Sequence, residues 1–182
     1  MNRSSLPRGF ILIPLALAWF ALSPQARAVC QEGCLTSFNT VLGDDALFSL
    51  TTGEENTATG YQALYFNTTG NFNTAIGAFA LQSNTTGFGN TATGSAALLN
   101  SSTGFENTAI GGAALLNSST GFSNTATGSA ALANNTTGNE NTATGFHALL
   151  NNTTGNNNTA DGVLCEVIPR SSCCRLIDRQ NQ

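Results

Sequence analysis

The chain has 182 residues, six of them lysine or arginine against ten acids, for a formal net charge of −4. It contains no lysine, and beyond residue 28 its only basic side chains are Arg170, Arg175 and Arg179. Nucleic acid and anionic membrane surfaces both demand clustered cations, so neither is expected as a partner.

Taken in chain order, Met1 to Arg8 carries Arg3 and Arg8, Gly9 to Leu22 is almost wholly apolar, and Ala26-Arg27-Ala28 ends in the small-x-small pattern of a signal-peptidase site. This predicts a secretory signal over residues 1–28, cleaved after Ala28, and a secreted or cell-surface protein. The apolar run is shorter than the ~20 residues a membrane-spanning helix needs. Arg27-Ala28-Val29 does not resemble the approach to a lipid-modified cysteine.

Residues 29–38 read as an N-terminal cap, in which Cys30 and Cys34 are close enough to close a small disulfide loop in an oxidising compartment. Cys165, Cys173 and Cys174 follow much later, and the odd total of five leaves one unpaired or cross-linked to another chain. No histidine accompanies either cluster and the spacing matches no standard zinc pattern, so no metal or cofactor is expected.

From Asn39 to Gly162 the chain repeats. Asn-Thr-Ala or a variant returns at Asn39, Asn56, Asn73, Asn90, Asn107, Asn124, Asn141 and Asn158, each step being 17 residues. That makes seven full units and the start of an eighth. Numbered from its asparagine, every unit has glycine at position 5 (Gly43, Gly60, Gly77, Gly94, Gly111, Gly128, Gly145) and at position 15 (Gly53, Gly70, Gly87, Gly104, Gly121, Gly138, Gly155). Glycine reaches positive φ and lets backbones approach closely, so two fixed glycines imply two corners.

A unit this short cannot hold the helix pair of a longer repeat, and glycine this frequent forbids a long helix. The predicted fold is all-β: a parallel β-solenoid of seven coils, stacked ~4.8 Å apart into a rod of ~34 Å. Ser95 to Leu99 could still form one helical turn. In-register stacking superposes identical side chains, which predicts an amide ladder of the position 1 asparagines and a hydroxyl ladder of Thr52 to Thr154 at position 14.

Alanine at positions 3 and 8 keeps the cross-section thin. Leucine follows at position 9 in all seven units: Leu47, Leu64, Leu81, Leu98, Leu115, Leu132 and Leu149. Neighbouring residues of a strand face opposite ways, so with position 8 inside, position 9 forms an outward apolar stripe that invites association. The alternative is a bend between positions 8 and 9 that turns both inward. One leucine and two alanines per unit bury little apolar surface, which favours partner chains.

Units of the form Asn-Thr-Ala-x-Gly-x-x-Ala-Leu-x-x-Asn-Thr-Thr-Gly resemble the head repeats of trimeric autotransporter adhesins, and still more the repeats of bacterial and phage tail-fibre-like proteins. The resemblance covers Asn39 to about Gly162. It implies a left-handed parallel β-roll, three chains side by side, and attachment to an extracellular surface or matrix ligand. A coiled-coil stalk, a membrane-barrel anchor and a chaperone domain, present in longer members, have no counterpart here. Residues 163–182, with their sudden arginines and cysteines, read as an irregular, foreign ending such as a truncated or frame-shifted gene would leave.

Catalysis is not expected. The lone His147 occupies position 7, where other units carry Asp45, Gln62, Phe79 or alanine, so a solvent-facing loop is its simplest reading. Asp44, Asp45, Glu54 and Glu55 concentrate charge in the first unit and could loosely hold calcium, although a polar cap on the solenoid end explains them better. Phe88, Phe105 and Phe122 recur at position 16 and suggest a local core, a chain contact or a binding stripe. The second functional reading is ice binding, through Thr57-Ala58-Thr59, Thr91-Ala92-Thr93, Thr125-Ala126-Thr127 and Thr142-Ala143-Thr144, an array interrupted by Leu42, Ile76 and Ile110 at position 4.

Overall fold

The computed structural model describes residues 37–166 and 175–178. The signal segment and the Cys30–Cys34 pair lie outside the described residues. Eight short strands, β1 (Thr40–Leu42), β2 (Thr57–Thr59), β3 (Thr74–Ile76), β4 (Thr91–Thr93), β5 (Thr108–Ile110), β6 (Thr125–Thr127), β7 (Thr142–Thr144) and β8 (Asn158–Asp161), pair in parallel and in sequence order. Register is one full unit throughout, for example Thr91 on Thr108 and Ala92 on Ala109. The protein is a parallel β-solenoid whose coil is the 17-residue unit.

Within the stretch expected to be irregular, β9 (Arg175–Asp178) pairs antiparallel with β8 and closes that edge of the sheet. An open parallel edge presents unpaired N–H and C=O groups to other chains, and an added strand removes that template. Cys165 is buried and disulfide-bonded; its partner is outside the described residues.

Strands β2 to β7 bury their middle alanine and turn positions 2 and 4 outward, with Ala58, Ala75, Ala92, Ala109, Ala126 and Ala143 fully enclosed; in β1 the half-buried Val41 takes that place. The remainder of the coil is neither strand nor helix. φ is positive at position 5, at position 7 and again at position 9: Gly94 +135°, Ala96 +56° and Leu98 +53° in one coil, His147 +55° and Leu149 +50° in another. Left-handed residues alternating with ordinary ones exclude a helical turn across Ser95 to Leu99.

This alternation overturns the outward leucine stripe. Facing rules for a strand hold only in β conformation, and a left-handed residue at position 9 swings its side chain to the same side as position 8. Six leucines, Leu64 to Leu149, are completely buried and Leu47 is 4% exposed. A left-handed backbone costs an L-residue roughly 1–2 kcal/mol, while full burial of leucine returns about 1.5–3 kcal/mol. Burial therefore wins. The leucine N–H is used as well, donating to the position 8 carbonyl of the next coil, as Leu81 does to Ala97 at 2.9 Å.

The second half of the interior is polar. Nδ2 of Asn73 donates to Asn56 Oδ1 (3.1 Å) and to the Gly87 carbonyl (2.8 Å), and the Asn73 backbone N–H also donates to Asn56 Oδ1 (3.0 Å). The same three bonds recur at Asn90, Asn107, Asn124 and Asn141. A carboxamide has two donor hydrogens and two acceptor lone pairs, and each interior rung uses all four. Aspartate lacks the donors; serine lacks the reach.

Asn107→Ala would strip Asn124 of the acceptor for two buried donors and take the Asn107 amide donor from the Gly121 carbonyl. At roughly 1–3 kcal/mol per buried unpaired group, the expected loss exceeds about 3 kcal/mol. The surface control Asn100→Ala should stay within about 0.5 kcal/mol. Urea unfolding followed by circular dichroism reads both, and equal midpoints would remove the ladder as a stabilising element.

Candidate binding face

Because β1 to β8 are in register, positions 2 and 4 build a two-column outer face. Position 2 is threonine in every strand: Thr40, Thr57, Thr74, Thr91, Thr108, Thr125, Thr142 and Thr159. Position 4 reads Leu42, Thr59, Ile76, Thr93, Ile110, Thr127, Thr144 and Asp161, so the face carries no charge before β8. Nearly all these side chains are β-branched and held to few χ1 rotamers, which makes the columns stiff. Along a strand, positions 2 and 4 are ~6.7 Å apart. Coil spacing is visible in the aromatic stack, where the Phe105 and Phe122 centroids are 4.8 Å apart.

None of the position 2 hydroxyls is hydrogen-bonded within the described protein. The position 14 row, Thr52 to Thr154, behaves likewise: all seven threonines are exposed. It is not the expected hydroxyl ladder. That ladder lies one residue earlier, at position 13, where Thr68 Oγ1 donates to the Thr85 carbonyl (3.0 Å), Thr85 to Ser102 (3.0 Å) and Thr136 to Thr153 (2.9 Å). Positions 13 and 14 are both threonine in most units, and only the loop geometry decides which hydroxyl meets a carbonyl.

Two further amide rows escaped the sequence reading. Position 12 is buried where it carries Asn67, Asn84, Asn135 and Asn152; position 11 carries an exposed to half-buried run in which Asn100 donates to Asn117, Asn117 to Asn134 and Asn134 to Asn151. Their signal was the repetition itself.

The two glycine rows differ in what they do. Position 5 glycines have φ from +127° to +136°, whereas none of the position 15 glycines has a positive φ. In both rows a Cβ would strike the carbonyl of the next coil's glycine, and at position 15, 2.3 Å away at Gly87 and 2.7 Å at Gly104, that crowding is the only demand for glycine.

Phe88, Phe105 and Phe122 form a near-parallel stack, with 5.0 Å and 4.8 Å between centroids and interplanar angles of 7° and 2°. His147 is half-buried and stacks on Phe146 at 3.9 Å. Asp44, Asp45, Glu54 and Glu55 are all exposed, and among the described residues no group of three or more acid, histidine or cysteine side chains is arranged to hold a metal. No described helix is long and apolar enough to cross a membrane. Comparison of the chain with protein-family models, curated proteins and solved structures finds no match.

Proposed function

We propose that the chain is a secreted or surface-displayed rod of the adhesin type, without catalytic activity, which attaches through the flat threonine and isoleucine face of its sheet. The observation that supports this reading is that face: eight parallel strands, uncharged from β1 to β7, with an unbroken threonine column. All-parallel sheets are usually covered on both sides, and here the outer side is left for another surface. Self-association as a trimer belongs to the same reading through the resemblance to adhesin heads, but it cannot use the leucine row. Sedimentation velocity of the secreted chain reads it directly, three-fold mass being the expected result.

Thr91→Lys combined with Thr125→Lys puts two cations into the column without touching the core. Cells displaying the chain should adhere to a panel of immobilised extracellular-matrix proteins and glycans, and the double variant should lose that adherence at least tenfold with an unchanged circular dichroism spectrum. Undiminished adherence would remove the face from the mechanism.

One observation favours a second reading, ice binding: position 2 and position 14 are continuous threonine columns with free hydroxyls, the interruptions at Leu42, Ile76 and Ile110 being confined to position 4. Thermal hysteresis at micromolar concentration would select it over adhesion.

A further inference from the structure

We propose that the solenoid contains an internal hydration site, two water molecules standing in coils four and five where the position 12 row lacks its carboxamides. The row is an amide ladder at both ends. Asn84 Nδ2 donates to Asn67 Oδ1 (2.7 Å) and to the Gly87 carbonyl (3.1 Å), and Asn152 Nδ2 donates to Asn135 Oδ1 (3.0 Å) and to the Gly155 carbonyl (3.0 Å). Between them stand Ser101 and Ser118.

The consequence is local and consistent. Asn84 Oδ1, Ser101 Oγ and Ser118 Oγ, in three successive coils, are buried without a hydrogen-bond partner. The Gly104 carbonyl accepts only from Asn90 Nδ2 and the Gly121 carbonyl only from Asn107 Nδ2, both at 2.8 Å, whereas Gly87 accepts from two amides. Five acceptor or hydroxyl groups along one stretch of the axis thus keep unused hydrogen-bonding capacity. Unpaired polar atoms at complete burial destabilise a fold, and ordered water is their usual partner.

Water also fits the missing group. Like a carboxamide it offers two donor hydrogens and two lone pairs, and the exchange of asparagine for serine frees a volume close to the ~30 Å³ that one water occupies in the liquid. In coil four it donates to Asn84 Oδ1 and the Gly104 carbonyl and accepts from Ser101; in coil five it donates to Ser101 Oγ and the Gly121 carbonyl and accepts from Ser118. Each water then has three partners, the common number for buried water.

The sign of a single substitution separates wet from dry. Ser101→Ala deletes a hydroxyl: in a hydrated row the water loses a partner and the melting midpoint falls by several degrees, whereas in a dry row an unpaired group disappears and the midpoint holds or rises. Ser101→Asn with Ser118→Asn completes the ladder and expels both waters. The oxygen-17 magnetic relaxation dispersion of the full secreted chain should show two fewer long-lived internal waters in that double variant, and its midpoint should rise. If the double variant does not fold, the Ser101→Ala and Ser118→Ala shifts decide alone. Unchanged dispersion in a folded double variant, or a midpoint that holds or rises in either alanine variant, overturns the proposal.

Discussion

Gly94→Ala should unfold most of the rod, and Gly112→Ala, eighteen residues on, should leave it intact. Gly94 has φ +135°, and a Cβ placed there lies 2.6 Å from both the carbonyl carbon and the carbonyl oxygen of Gly111 in the next coil. These are backbone atoms of a layer fixed by bonds on both sides, including Gly111 N–H to the Thr93 carbonyl at 2.8 Å. Relief would require parting two coils. The left-handed strain alone is about 1–3 kcal/mol, and with the clash the loss should exceed about 4 kcal/mol, a size reserved for core disruption of this kind. Gly112 has no positive φ, and the nearest atom to an added Cβ is the Ser95 carbonyl oxygen at 3.9 Å. Alanine there should be neutral or stabilise by up to about 1 kcal/mol through the unfolded chain. Urea midpoints of the two variants, measured side by side, test this; comparable midpoints would mean the coils are not locked at position 5.

Removing one whole coil should be far milder than removing half of one. Deleting Asn90 to Glu106 joins Gly89 to Asn107, and Asn107 can then donate to Asn73 Oδ1 as Asn90 does now at 3.0 Å and 3.1 Å. Every remaining contact keeps its type, and in a stacked array stability is roughly a sum over units and neighbouring interfaces. Deleting only Asn90 to Leu98 removes β4, Gly94 and the buried Ala92, Ala97 and Leu98 while leaving positions 10 to 17 of that coil behind. Eight residues cannot complete a turn of the solenoid, so β3 and β5 lose register. The half-coil deletion should be cleaved at least tenfold faster in a protease pulse than the full-coil deletion. Equal resistance would mean that the 17-residue coil is not the structural unit.

Architecture was legible because period and glycine spacing act together. A repeat of 17 residues with glycine at two fixed positions admits short strands and tight corners and little else. The fate of the leucines was not legible for the same reason that propensity rules exist. Leucine rarely adopts positive φ, yet Leu64, Leu81 and Leu98 all do, at 53°, 51° and 53°, because the stack above and below overrides the local preference. Position 7 gives no warning either: Gln62, Phe79, Ala96 and His147 share the left-handed conformation without sharing any chemistry. The outer face could be sketched from Thr-Ala-Thr alone, since strand alternation holds there. The position 13 ladder could not, because two adjacent threonines compete for one carbonyl and the sequence is silent about the winner.

The buried position 12 row carries a consequence for how such a chain can be made. Asn67, Asn84, Asn135 and Asn152 are each followed by Thr-Thr, so each opens an Asn-x-Thr acceptor triplet for N-linked oligosaccharide. The sugar is attached at Nδ2, the atom that here donates to the Gly70, Gly87, Gly138 and Gly155 carbonyls inside the stack. The first three asparagines are wholly enclosed and Asn152 is 6% exposed. A glycan added to the unfolded chain would consume that donor and could not be housed between coils. Surface acceptor sites decorate a fold, but these four would forbid it. The rod can therefore mature only along a route that leaves its Asn-Thr-Thr triplets bare.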